Sequence, residues 1–355
     1  MNEETLPVEL QELIPVINPN RNYWLVRTSS GSNYDTFVEY GFIGIGWNEV
    51  PLSEINEYHL NPNNLEIRDS IRSRIVPHNE SAAGEENALS SSYKSKALSQ
   101  IMRFVYEIKK GDIVVIPSYN SDNLFFGEVL DTVLWQATDL DYATDNCMFE
   151  KRKRVQWMKE ISRNRLEPAL YKFIFAHQTI NNVDDYSEYI NNLLFDFYSI
   201  EKNATLVLRI RNDNAIDAFE IGTLYHDILV FIHEFSDFNN QELDTNSVSV
   251  KFNLQSPGTI VFIGFAILAF AAIAIMTVFA GGKSGLEYDP VTNKFKFTFK
   301  SNSFFDKLSQ FLNEKEDRLD RKLARQERTL RLMEGLRKFD VEENKTMKNL
   351  TEPEE

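Results

Sequence analysis

The feature that most constrains this chain is an apolar run at residues 260–280, which contains no charged residue and is interrupted only by Gly264, the alanines and Thr277. A helix of this length rises about 1.5 Å per residue and would be about 31 Å long, which matches the roughly 30 Å hydrocarbon core of a bilayer. Small side chains within the run would let neighbouring helices approach closely, so the pattern also predicts a homo-oligomer. The residues that define this predicted membrane segment are Ile260, Gly264, Ala269, Ala272 and Ala280. The run therefore predicts a protein of the cell inner membrane.

A buried helix in the core of an oligomeric domain is the alternative interpretation of the run. Alternating segments at 248–254 and 295–300 flank it and predict half-buried strands. If these strands pair with each other, both ends of the helix lie on one side of a membrane. Lysines after the run favour a cytoplasmic C-terminus, whereas the lack of an apolar signal region at the start favours a cytoplasmic N-terminal domain. We favour the cytoplasmic N-terminal domain, because the charge rule applies poorly to a large folded domain.

Charge is distributed very unevenly along the chain. The 53 acidic and 38 basic side chains give a net charge of −15, which excludes a protein that coats nucleic acid through a general basic surface. Residues 151–165 nevertheless carry seven Lys or Arg and one acid, whereas residues 182–245 carry 13 acids and three basic residues. Any polyanion must therefore bind locally, and residues 151–165 are the predicted binding site.

No recognisable catalytic motif occurs in the sequence. The single cysteine, Cys147, excludes a disulfide framework and a multi-cysteine zinc site. Because Asp145 is close and no histidine is, we expect a raised pKa and an inert thiol. No phosphate-binding loop, serine-hydrolase elbow or HExxH zinc motif occurs. The sequence predicts a protein that is not an enzyme and that binds no cofactor and no metal.

The predicted fold class is α+β. Apolar segments bounded by turn residues at 23–28, 42–47, 112–118, 124–135 and 203–210 predict strands, and helical spacing over 98–108 and 214–235 predicts helices. We expect an N-terminal β-barrel with helices, followed by an α+β C-terminal domain that contains one long apolar helix and a charged C-terminal helix. The predicted divisions are an acidic leader at 1–20, an N-terminal domain at 21–180, an acidic connecting domain at 181–258, the membrane or oligomer-core helix at 259–282, a strand and charged amphipathic helix at 283–340, and a disordered acidic tail at 341–355.

Several short motifs occur in a particular order in the N-terminal half. They are YWLVRT at 23–28, GFIGIGWNEV at 41–50, RFVYEIKKGDIVVIPS at 103–118, GEV at 127–129 and RKRVQWMKEISRNRL at 152–166. Together they resemble the EVE-like, PUA-type module at the N-terminus of Mrr-type restriction proteins. The resemblance covers roughly residues 21–180 and implies a curved β-barrel with an aromatic cage for a nucleobase or nucleotide.

The residues needed for such a cage are available. Aromatic side chains would stack on bases. Basic side chains, which are spaced to share one face or the mouth of a helix, would neutralise phosphates. The alternative is that the tryptophans are core residues and the basic run is a solvated face. The candidate ligand-binding residues are Trp24, Trp47, Asn48, Phe104, Arg152, Arg154, Trp157, Lys159 and Arg163.

The predicted function combines this module with the apolar run. The arrangement resembles the membrane effectors of bacterial anti-phage systems, the Hailong type being the nearest, and implies a channel regulated by a nucleotide or a short single-stranded oligodeoxynucleotide, with a nucleotidyltransferase as partner. One alternative is a soluble, oligomeric reader of modified DNA of the restriction class. Another is a nuclease, but no pair of acids followed by a lysine signature is found after residue 180.

Overall fold

The computed structural model divides the chain into two compact units. One unit comprises residues 20–194 and is named the inserted unit, because the other, the flanking unit, is formed by residues 1–19 together with 195–355. The residues described are 13–76, 90–176, 178–211, 217–239, 248–253, 258–280, 286–289, 294–297, 303–313, 319–345 and 347. Residues 1–12 of the predicted leader and 348–355 of the predicted tail lie outside these ranges.

Both units contain strands and helices. The strands are β1 Val16–Ile17, β2 Tyr23–Val26, β3 Phe42–Ile45, β4 Ile113–Pro117, β5 Asn123–Val129, β6 Trp135–Gln136, β7 Lys151–Ser162, β8 Ile180–Asn182, β9 Phe197–Ile200, β10 Asn203–Ile210, β11 Ser249–Asn253, β12 Gly258–Gly264, β13 Leu286–Asp289 and β14 Lys294–Phe297. The α-helices are α1 Tyr34–Tyr40, α2 Leu52–Leu60, α3 Leu65–Arg74, α4 Ser91–Met102, α5 Asp139–Asp145, α6 Tyr171–Ile174, α7 Ser187–Leu194, α8 Ala218–Phe238, α9 Ile267–Ala280, α10 Ser303–Asn313 and α11 Leu319–Lys338.

The inserted unit is built on a seven-stranded, mixed sheet. Its strand order is β3-β7-β5-β4-β2-β8, with β6 pairing on β7. Within the described residues the end strands β3 and β8 do not pair with each other, so the predicted β-barrel is an open, curved half-barrel. One hydrophobic cluster packs on each face, the first around Phe104 and the second around Phe126.

A glycine in β5 lets the long strand β7 cross close to it. A Cβ added at Gly127 would lie 2.5 Å from Val155 Cγ1 and 2.6 Å from Trp157 Cε3, so a larger residue requires these neighbours to shift. The β5–β7 register also shifts between Phe126 and Gly127, which is typical of a β-bulge and bends the sheet. The bend gives β7 the curvature of the half-barrel.

The flanking unit contains a five-stranded sheet in the order β1-β9-β10-β12-β11 and a separate β13-β14 hairpin. Its hydrophobic core is built from β10, β12, α8, α9, α10 and α11. Val16 and Ile17, from the segment predicted as a leader, pair in parallel with Ser199 and Ile200 of β9. The chain therefore contributes β1 to this sheet, next forms the inserted unit, and then forms the other four strands of the sheet.

The predicted long apolar helix is wrong. Residues 258–264 form β12, which pairs with β10 and β11, and only residues 267–280 form a helix, α9. At about 1.5 Å per residue, 14 residues reach about 21 Å, which is short of a bilayer core of about 30 Å. The residues of the predicted segment are integral to the flanking core, with Ile260, Ala269 and Ala272 fully buried, Ala280 nearly so, and Gly264 at the end of β12.

Among the described residues, no helix combines the length and the hydropathy that a membrane crossing requires. This finding overturns the predicted membrane segment, and with it the predicted inner-membrane location and the predicted channel. The described residues of the flanking segments, 248–253 and 295–297, do not pair with each other either: β11 pairs with β12, and β14 pairs with β13.

Candidate functional site

A surface cleft of about 440 Å³ lies beside the start of β7 in the inserted unit. The chain segment between β5 and β6 and the two residues of β6 form most of its lining. Trp135 of β6 pairs with Arg152, and Gln136 pairs with Lys151. The side chains that give the cleft its chemical character are Lys110, Asp131, Thr132, Trp135, Gln136 and Arg154.

The indole of Trp135 is fixed in the wall of the cleft. Its ring and that of Phe42 form a T-shaped pair with a centroid distance of 5.7 Å, and the guanidinium of Arg152 lies over the Trp135 ring, 5.1 Å from its centroid. The side chain is half-buried and also lines a second, smaller cavity together with Leu52 and Glu150. A ring held in this way can stack on a planar ligand without first losing side-chain freedom.

Arg152 is a structural residue that supports this wall. Its side chain is fully buried, ion-paired with Asp145, and donates hydrogen bonds to the carbonyl oxygens of Cys147 at 2.6 Å and Phe149 at 2.7 Å. It also lies 4.4 Å from the ring centroid of Phe42. Since every contact is internal, Arg152 does not reach a ligand, contrary to the sequence prediction that it binds phosphate.

The accessible positive charge of the cleft comes from Arg154 and Lys110. Arg154 keeps 66% of its side chain exposed and pairs with Asp131 at 3.3 Å. Exposed pairs of this kind contribute roughly 0.2–1 kcal/mol, so an anionic ligand can take the place of Asp131 at small cost. Lys110 is also exposed, and its backbone N–H donates to Thr132 Oγ1 at 3.4 Å.

The buried amine of Lys153 forms a hydrogen bond with the backbone of the cleft lining. Lys153 Nζ donates to the carbonyl oxygens of Val105, Ile108 and Thr132 at 3.3, 2.7 and 2.9 Å. Burial lowers the pKa of this lysine to about 8. The amine thereby joins the end of a helical segment to Thr132 in the cleft lining.

The basic run that was predicted to lie on one face or at the mouth of a helix is the strand β7. Its first three side chains, Lys151, Arg152 and Lys153, are buried, although cations rarely are. Lys151 Nζ donates to the carbonyl oxygen of Trp47 at 3.0 Å, and burial lowers its pKa. The hydrogen-bond acceptors of the three side chains are carbonyl oxygens and, for Arg152, also Asp145, none of which sequence periodicity reveals. Arg154 is the first exposed cation of the strand.

Three of the predicted cage aromatics lie in the core of the inserted unit. Phe104 is fully buried, and Trp24 donates its indole N–H to Asp112 Oδ2 at 2.9 Å. Trp47 is 7% exposed and has a φ of 58°, a left-handed backbone that bulky residues rarely adopt. The structure therefore does not bring these rings together around an open cage.

The other predicted residues occupy separate places. Asn48 bridges the backbone of Met148 and Glu150. Trp157 is half-buried and donates its indole N–H to the carbonyl oxygen of Phe37 at 2.7 Å. Lys159 Nζ donates to the carbonyl oxygen of Leu193 at 2.7 Å. Arg163 follows the end of β7 and lies against two aromatic rings.

Of the predicted residues, only Arg154 lines the cleft, and the predictions missed Trp135 and Lys110. A signal for Trp135 existed, because it ends the predicted strand segment at 124–135 and is one of only four tryptophans. Within the described part of the chain, no group of three or more His, Cys, Asp or Glu side chains is arranged to hold a metal ion.

Comparison with known proteins gives a match over the inserted unit. Residues 23–184 are similar to a domain of unknown function, DUF8426, and this range contains every strand of the seven-stranded sheet as well as the cleft. Neither the curated proteins nor the solved structures contain a significant match. The relationship to EVE-like, PUA-type modules stays a prediction.

Proposed function

We propose that the inserted unit is a recognition module for a nucleotide, which binds in the cleft beside β6. The observation that carries this proposal is the fixed indole of Trp135 in the same cleft as the exposed cations Arg154 and Lys110. A planar ring beside two cations suits a ligand that joins an aromatic base to an anionic phosphate.

The remaining groups of the cleft fit the same class of ligand. Gln136 offers an amide and Thr132 a hydroxyl, which can donate to and accept from the edge of a base. The net charge of −15 repels anions from the molecule in general. A local cationic cleft is therefore where an anionic ligand would be retained.

The wider predictions made from the sequence stay predictions. They include a homo-oligomer, a nucleotidyltransferase partner, the absence of enzymatic activity and the alternative role as a reader of modified DNA. The pore is not part of the present proposal. A single-stranded or monomeric nucleotide is favoured over a DNA duplex because Trp135 stacks only on a base whose face is open.

Calorimetric titration of the full chain with dAMP, dCMP, dGMP and dTMP tests the proposal. We expect at least one of them to bind, and Trp135→Ala to weaken its binding by about 5- to 150-fold, the factor that corresponds to roughly 1–3 kcal/mol per stacked base. Trp135→Phe keeps a ring in the wall and should retain most of the affinity. Arg154→Ala should weaken binding, whereas Arg68→Ala, which removes another exposed, ion-paired arginine, should not.

Two results would contradict the proposal. One is that none of the four nucleotides binds to a chain whose circular dichroism shows that it is folded. The other is that Trp135→Ala and Arg154→Ala bind as tightly as Arg68→Ala. A duplex that carries a modified base and binds more tightly than any mononucleotide would favour the alternative role instead.

A further inference from the structure

A second aromatic and cationic surface lies at the other end of β7. Phe175, which directly follows α6, is 59% exposed. The guanidinium carbon of Arg163 lies 5.4 Å from the ring centroid of Phe175 and 5.6 Å from that of Tyr171. We name Arg163, Arg165, Lys172 and Phe175 the Phe175 platform.

Hydrogen bonds from other parts of the inserted unit hold this platform in place. Tyr171 donates its hydroxyl to the carbonyl oxygen of Arg163 at 2.8 Å. Arg27 donates to the carbonyl oxygens on both sides of Phe175, those of Ile174 and of Ala176. The exposed ring is therefore carried on a segment that is fixed before any ligand arrives, which reduces the entropy lost on binding.

The charge of the platform is positive. Arg165 and Lys172 are exposed, and Glu167 is the only acid in the sequence from 163 to 172. In the part of the chain that the structure describes, none of Arg163, Arg165 and Lys172 forms an ion pair. An exposed Phe alone is common on protein surfaces, but a fixed Phe with an arginine against its ring and two further exposed cations nearby in sequence is suited to an anionic ligand with flat faces.

We propose that the Phe175 platform binds single-stranded nucleic acid, stacking one base on Phe175 and contacting the neighbouring phosphates through Arg163, Arg165 and Lys172. Unpaired bases stack on aromatic side chains and on guanidinium planes irrespective of sequence. A duplex would hide the base faces that Phe175 needs. The inference depends on the proposed function only for the class of ligand, since it uses none of the residues of the cleft.

If one ligand reaches both the platform and the cleft, that ligand is a polymer. Arg154 and Arg163 are nine residue positions apart along or just beyond β7, which corresponds to about 30 Å of strand at about 3.3 Å per residue. A mononucleotide in the cleft is much shorter than that stretch of strand. Single-strand sites commonly take about 4–16 nucleotides. Affinity for a twelve-nucleotide strand should therefore depend on the platform, and affinity for a mononucleotide should not.

Fluorescence anisotropy with 5′-labelled (dT)12 and (dA)12 on the full chain tests this inference. Phe175→Ala should weaken binding of at least one strand by about 5- to 150-fold, and Phe175→Trp should restore it. Phe219→Ala, which removes a ring that is 88% exposed in the flanking unit, is the matched control and should have no effect. The double change Arg165→Ala with Lys172→Ala should make the slope of log K against log salt concentration shallower by about 1.4. This corresponds to about 0.7 for each phosphate that is no longer neutralised.

The outcomes separate this inference from the proposed function. Failure of the wild-type chain to bind either strand, or equal affinities of Phe175→Ala and Phe219→Ala for both strands, would overturn the platform even if mononucleotides bind in the cleft. Binding of a strand that depends on Phe175, without any binding of mononucleotides, would support the platform and count against the cleft. A loss of mononucleotide affinity in Phe175→Ala would also contradict the inference, because it would mean that the two surfaces are one site.

Discussion

Lys153 is an amine held inside the inserted unit by three backbone carbonyl oxygens rather than by a carboxylate. Its burial lowers the pKa to about 8, from an ordinary value of 10.5. Between these two values the unfolded chain keeps a proton that the folded protein has released. Because stability rises with pH wherever the unfolded state binds more protons, Lys153 makes the folded state more stable as the pH rises from about 8.

We expect the free energy of unfolding to increase by about 1–2 kcal/mol from pH 8 to pH 9.5 on account of Lys153. The lowered pKa of Lys151 acts in the same direction. The raised pKa of Cys147 acts in the opposite direction within this range, because an unfolded thiol ionises at about pH 8.5, and the raised pKa of Tyr34 does so only above about pH 10, where an unfolded tyrosine ionises. Urea denaturation at several pH values measures the slope.

The matched comparison for this prediction is between two lysines. Lys153→Met should reduce the slope between pH 8 and pH 9.5, whatever its effect on stability at a single pH. Lys96→Met, at an exposed position in α4, should leave the slope as it is in the wild type. An unchanged slope in Lys153→Met would show that the buried amine keeps its proton throughout this range.

The residues of the cleft differ in how well they could be predicted from the sequence. Arg154 could be predicted, because it belongs to a basic run in an acidic chain. Which cations of that run are accessible could not be predicted, because the fold buries Arg152 beside Asp145 and buries Lys153 among carbonyl oxygens that accept its hydrogen bonds. Trp135 was missed because its role depends on the neighbouring Phe42, which is remote in sequence.

At the scale of elements, short strands with local patterns were predicted well. The segments at 23–28, 42–47 and 112–118 contain β2, β3 and β4, and 203–210 is the whole of β10. Their patterns and turn residues are local, so tertiary contacts need not be known. The run at 260–280 was misjudged because apolar length alone does not distinguish a buried strand followed by a buried helix from one spanning helix.

The corrected assignment of this run predicts a large effect of charge in α9. Ala269 is fully buried in the flanking core, so Ala269→Arg should lower the free energy of unfolding by roughly 3–5 kcal/mol through an unpaired buried charge and overpacking. Phe219→Arg places the same side chain at an exposed position of α8 and should change stability by less than about 0.5 kcal/mol. Equal stabilities of the two variants in urea denaturation would show that Ala269 is not buried.

At the scale of the whole molecule, each unit has its own hydrophobic clusters. Residues 20–194 contain the clusters around Phe104 and Phe126, and the core around α9 belongs to the flanking unit. The two ends of the inserted unit are tied together, because Tyr23 donates its hydroxyl to Asn191 Oδ1 at 2.8 Å and its backbone N–H to Asp184 Oδ1 at 2.6 Å. Close ends are typical of domains that tolerate insertion into another domain.

We therefore expect a fragment of residues 20–194 to fold alone and to retain the ligand affinities of the full chain. It should unfold in one cooperative transition and bind the same mononucleotide within about twofold, because the lining of the cleft lies wholly inside it. Tyr23→Phe removes the hydroxyl that ties the ends and should lower the stability of the fragment by about 1 kcal/mol. A fragment that lacks a cooperative transition and binds a hydrophobic dye would show that the inserted unit needs the rest of the chain to fold.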